Sequence, residues 1–182
     1  MPRPLVLIAG LLLFAAPALA LDLPTRKAGL WEIKMNFEGR NGTQVMKQCI
    51  DQATDKMMNN NFGGGTRLEG CSKQDMKNSG GTITIDSICK FGEATSTTHM
   101  VITGSFESDY TMELTSTREG GRPLPGAKPG AEKTQMTIAA KRLGACEAGQ
   151  KPGDIISNGM TMNILDMQKG VPPKGGPPRR PQ

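Results

Sequence analysis

From Trp31 to Glu38 apolar and polar side chains take strict turns. Trp31, Ile33, Met35 and Phe37 alternate with Glu32, Lys34, Asn36 and Glu38. A period of two sends successive side chains to opposite sides of an extended backbone, so this stretch can bury one face only as a β-strand. Asn41-Gly42 then supplies a tight turn, and TQVMKQCI at 43–50 returns as a second strand. Trp31 is the only tryptophan of the chain. It either plugs a core or lines a binding mouth, and Ile33, Met35 and Phe37 continuing its face favour the plug.

The same pattern recurs. CSKQDMKNSGGTITIDSIC at 71–89 holds two strand-like runs about the turn Asn78-Ser79-Gly80-Gly81. Residues 93–108 and 109–119 are rich in Thr and in β-branched or aromatic residues. Tyr110, Met112 and Leu114 share one side of the second run. EKTQMTIAAKRL at 132–143 sets Met136, Ile138 and Ala140 in phase. Seven such runs at short spacing predict an all-β domain over residues 21–150: an antiparallel curved sheet, a partial barrel or a sandwich. Only DQATDKMMNNNF at 51–62 breaks the alternation. It predicts one short helix after the second strand, capped by Asp51 or Thr54 and ended by Gly63-Gly64-Gly65.

Four cysteines, Cys49, Cys71, Cys89 and Cys146, form an even set without C-x-x-C spacing. The N-terminus favours their oxidation. Arg3, an apolar run from Leu5 to Ala16 and the small-x-small signature Ala18-Leu19-Ala20 give residues 1–20 the layout of a secretory signal peptide. The apolar run is shorter than the ~20 residues of a membrane span, and no second one approaches that length. Export implies a compartment where disulfides persist, periplasmic or secreted. Three connectivities are formally possible. Folding the 71–89 hairpin about Gly80 sets Cys71 opposite Cys89, within bridging distance, and leaves Cys49 with Cys146.

Towards the ends the signals weaken. GGRPLPGAKPG at 120–130 predicts a long exposed loop. Residues 151–168 predict an amphipathic helix capped by Asp154, with Ile156, Met160, Ile164 and Met167 on one face, although Gly159 opposes it. The Pro/Gly/basic tail at 169–182 cannot build a core and is expected to be disordered.

Together these features resemble the family of exported bacterial proteins described as domain of unknown function 3617. The residues that carry the resemblance are Gly29-Leu30-Trp31-Glu32, Cys49 closing the second strand, Cys71 and Cys89 bracketing a hairpin, and KRLGAC at 141–146. It spans about residues 28–146. It implies export to the cell envelope and brings no catalytic residue with it.

The chemistry-bearing residues are few. A nucleophile, base and orienting group need a base, and His99 is the only histidine. It falls in phase with Val101 and Thr103 on a strand surface. Ser96 or Ser105 lies near it in sequence, but no G-x-S-x-G elbow is present. Glu32, Glu38 and Asp86 alternate with core positions, as the wet face of a sheet would. The formal net charge of +5 comes without a dense basic cluster interleaved with aromatics, which argues against nucleic acid as a partner.

Methionine is the unusual component: twelve residues in a chain that is 4% aromatic. Thioethers fill irregular core gaps, and they also ligate copper(I). Met160, Met162 and Met167 are the candidate metal cluster. The expectation is a non-enzymatic module without a cofactor, binding an apolar ligand or an envelope partner protein. Copper(I) binding is the alternative.

Overall fold

The computed structural model describes residues 23–61, 70–121 and 132–171. The expected signal peptide, Gly63-Gly64-Gly65, most of the 120–130 loop and the tail beyond 171 lie outside the described residues. The elements are β1 (Gly29–Phe37), β2 (Gln44–Ile50), α1 (Gln52–Asn61), β3 (Cys71–Ser79), β4 (Thr82–Phe91), β5 (Ala94–Ser105) and β6 (Asp109–Glu119). They continue with β7 (Glu132–Gly144), β8 (Asp154–Ser157), β9 (Met160–Asn163) and α2 (Ile164–Gln168). The strands form one open antiparallel sheet in the order β3-β4-β5-β6-β7-β1-β2-β8-β9. After β2 the chain crosses by way of α1 to the far edge and then meanders back, so that β7 pairs with β1.

Register converts the alternation of each strand into one common apolar face. Ile33 lies opposite Met46 on β2 and Ala140 on β7, and Ala140 lies opposite Tyr110. The next row runs Met35, Ile138, Met112, Ile102, Ile83 across five strands. Charged partners such as Glu32–Lys141 and Asp86–His99 occupy the other face.

The sheet is strongly curved. β5 and β9 are six places apart, about 29 Å in a flat sheet at ~4.8 Å per strand. Yet Met100 of β5 and Met162 of β9 line the same cavity. Only a sheet rolled toward a half-barrel brings them together. Segment 23–28, α1 and α2 supply the remaining core contacts, with Leu23, Met58 and Ile164 joining Trp31 and Tyr110 in one cluster.

Both expected disulfides are present, Cys71–Cys89 across the β3–β4 hairpin and Cys49–Cys146 over a separation of 97 residues. The second ties the end of β2 to the segment after β7, across β1. A bridge of this kind contributes typically ~2–4 kcal/mol. Gly29 explains why the chain enters β1 as it does. Its φ of +135° suits glycine alone, and a Cβ there would collide with the Gly144 carbonyl on β7.

Asp51 caps α1. Its Oδ1 accepts from the Thr54 backbone N–H at 2.8 Å, while the Thr54 hydroxyl accepts from the Asp51 backbone N–H at 3.0 Å. These hydrogen bonds to Thr54, chiefly the backbone one, hold the Asp51 carboxyl below its ordinary value.

The helix expected over 151–168 is replaced by a hairpin, β8–β9, followed by the five-residue helix α2. The cause is Asn158-Gly159. Both take positive φ, 51° and 74°, the geometry of a two-residue hairpin turn that joins strands without splaying them. Asp154 is no helix cap. It accepts from the Lys151 N–H and the Asn163 side-chain amide, each at 2.8 Å, and Asn163 caps α2 instead. The sheet therefore extends past residue 150, with β8 pairing on β2.

Trp31 is wholly buried and its indole N–H donates to the Lys27 carbonyl at 2.8 Å. It is the plug of the core. Its emission should be blue-shifted and poorly quenched by a soluble quencher, and Trp31→Ala should cost ~3–5 kcal/mol in urea unfolding. Asp51→Ala should cost about 1 kcal/mol. Because its folded carboxyl titrates below the ordinary value, the Asp51 contribution is complete above that value. It is lost as pH falls through the folded one. The penalty of the variant should shrink in acid, as paired unfolding curves would show.

Candidate functional site

Rolling the sheet leaves its apolar face incompletely filled. A cavity of ≈ 360 Å³ remains under α1, towards the lower end of the range for small-molecule sites (~300–1,000 Å³). Six methionines line it: Met35, Met46, Met58, Met100, Met112 and Met162. Leu23, Ile33, Ile138 and Ile155 complete the apolar wall. Unbranched thioether side chains adapt to a guest more readily than β-branched or aromatic ones.

The polar lining consists of Arg26, Gln48, Asn59 and Tyr110. Arg26 is held by Asp55 of α1, which is itself 0% exposed. Its backbone N–H donates to Asp55 Oδ2 at 2.6 Å and its Nε to Oδ1 at 2.7 Å. The guanidinium lies 5.6 Å from the Trp31 ring centroid, so Trp31 backs Arg26 without itself lining the cavity. Nη1 of Arg26 donates to Gln48 Oε1 at 2.9 Å.

Tyr110 stacks on Phe106, with centroids 4.7 Å apart. Burial pushes its phenol above its ordinary value, opposed by the Arg26 charge and reinforced by that of Asp55.

His99 lies on the opposite face of the sheet. Its Nδ1 is 2.7 Å from Asp86 Oδ1 across the β4–β5 pair, and both side chains are substantially exposed. The His99 hydrogen bond holds the Asp86 carboxyl below its ordinary value. Ser96 is not joined to His99. It bonds Ser116 at 3.0 Å instead. Ser105 lies at the end of β5, where its hydroxyl accepts from the Glu107 N–H.

Of the methionines singled out from the sequence, Met160 and Met162 share one side of β9. Met162 lines the cavity, and Met167 is 47% exposed on α2. The sequence reading missed Arg26, Asp55 and Gln48. Arg26 precedes the first strand and carries no periodic signal. Asp55 could have been suspected, because it shares a helical side with Met58, where a carboxylate needs a buried partner.

Two outcomes follow from this site. Asp55→Ala strands the Arg26 charge and should cost about 3–5 kcal/mol, whereas Arg26→Met/Asp55→Leu should recover most of that loss in urea titration. Tyr110 is the only tyrosine, so phenolate absorbance reports on it alone. Above the ordinary value of 10.0 the folded protein retains a proton that the unfolded chain has lost. Stability should therefore fall as pH rises from there towards the folded value. Titration at the ordinary value in the folded protein would contradict the burial.

Among the described residues no helix is long and apolar enough to cross a membrane. No curated protein and no solved structure matches the chain. A family model does, over residues 26–146, a span that includes Arg26, Asp55, Gln48 and Tyr110 together with all four cysteines. The chain belongs to the family described as protein of unknown function (DUF3617).

Proposed function

We propose that this chain is an exported, non-enzymatic envelope protein that binds a small apolar ligand in its methionine-lined cavity. The observation that carries the reading is the cavity itself. It is a half-open pocket of ≈ 360 Å³ whose wall is mostly hydrocarbon and thioether, with a few polar groups at one end, the composition of sites that take apolar small molecules. Export draws support from the leader-like N-terminus and from the two disulfides, which persist in oxidising compartments. The non-enzymatic reading rests on the chemistry of the lining, which among the described residues offers no histidine and no free carboxylate. Copper(I) held by Met160, Met162 and Met167 is the second reading: β9 sets Met160 and Met162 on one side, as convergent donors require, whereas Met162 lines the cavity and Met167 is exposed on α2.

The test uses N-phenyl-1-naphthylamine, a neutral dye whose emission rises in apolar surroundings. The wild-type protein should enhance it saturably, and Met112→Phe/Ile138→Phe, which fills the cavity, should abolish the enhancement while the fold persists. No enhancement, or an unchanged one in the filled variant, would overturn the reading.

A further inference from the structure

The polar end of the cavity specifies what kind of apolar molecule fits. We infer that the ligand carries an uncharged hydrogen-bond acceptor, a carbonyl or ester oxygen, seated against the Gln48 amide beside Arg26. This deepens the proposed function and rests on the cavity being a ligand site.

Arginine has donors only, so the 2.9 Å contact from Arg26 Nη1 fixes which end of the Gln48 amide is which: the oxygen must face Arg26. Its NH2 group is thereby turned away. The acceptor it meets is the thioether of Met46, at 3.5 Å. A thioether is a weak acceptor, and an amide nitrogen carries two donors. Gln48 therefore presents an underused donor in a wall that is mostly sulfur and hydrocarbon, with Arg26, Asn59 and Tyr110 as its other polar members. A ligand oxygen would exchange that weak contact for an ordinary hydrogen bond.

Charge decides between a neutral and an anionic oxygen. Among the described residues Arg26 is the single ionic member of the lining, and Asp55 already balances it at 2.7 Å. A neutral acceptor adds nothing to this balance. A carboxylate or phosphate seated at Gln48 would leave one uncompensated negative charge against a mostly apolar wall and would have to shed much of its hydration to bind there. Tyr110, also in the lining, is neutral and adds no charge to this balance. The size of the cavity suits one short chain or a small ring system rather than a two-chain lipid.

Displacement of N-phenyl-1-naphthylamine by three probes of matched chain length tests this: methyl laurate, ionised laurate at mildly alkaline pH, and tridecane. The ester should bind about threefold to tenfold tighter than the alkane, the worth of one or two neutral hydrogen bonds. It should exceed laurate by at least about tenfold. Gln48→Leu should bring the ester down to the alkane and leave the alkane unchanged.

Laurate binding tightest would overturn the inference, because Arg26 would then act as a charge receptor. Ester and alkane binding alike would overturn it too, while the apolar-ligand reading stood. An ester preference that survived Gln48→Leu would overturn the assignment to Gln48. Should that variant fail to fold, the ranking of the three probes on the wild-type protein decides. If none of the three displaced a dye that binds, the inference would fail by itself. If the dye did not bind either, the proposed function would fail with it.

Discussion

A buried salt bridge, Arg26 to Asp55, organises the site. It joins the segment before β1 to the helix after β2, and its two hydrogen bonds of 2.6 and 2.7 Å lock that segment by backbone as well as side chain. Removing two charges from water costs several kcal/mol per ion, so such a pair adds little net stability over an apolar substitute. Its consequence here is positional. With Arg26 fixed, its guanidinium covers Trp31 and turns the Gln48 amide, so the polar pole of the cavity is set by one interaction.

The pocket depends on a second constraint, the curvature of a single open sheet, with neither a partner sheet nor pairing between its edges among the described residues. Large aromatics would fill the concave face. The chain instead places methionines there, with Tyr110 and Trp31 on the side of Arg26. A thioether lining loses less than a rigid one when a guest is absent, because its rotamers can close in part on the space. Covalent ties offset the weaker packing. Cys49–Cys146 spans β1 at the end of the sheet where Trp31 sits, and Cys71–Cys89 secures the otherwise exposed edge strand β3.

Much of the fold was legible because half-buried strands carry their burial in their spacing. The faces of Trp31–Phe37, Tyr110–Leu114 and Met136–Ala140 follow from a period of two, and Cys71 opposite Cys89 follows from the turn between them. β8 and β9 were not legible by the same logic. Each is four residues long, too short for alternation to register, and the spacing of Ile156, Met160 and Ile164 imitates a helix. Asn158-Gly159 was the better signal there, since a turn that requires two positive φ values outweighs a weak amphipathic period.

The site was less legible than the fold. Its methionines were visible singly, but Met46, Met100 and Met162 meet only through the order of the strands, which no local pattern encodes. Arg26 and Asp55 lie 29 residues apart, and each looks like an ordinary surface charge in its own stretch of sequence.

The most direct measurement is native mass spectrometry of the full chain purified, without detergent or delipidation, from the cell that makes it. The account predicts a retained neutral species of a few hundred daltons, absent from the cavity-filled Met112→Phe/Ile138→Phe variant prepared in the same way. A protein carrying nothing, or carrying only copper, would contradict it.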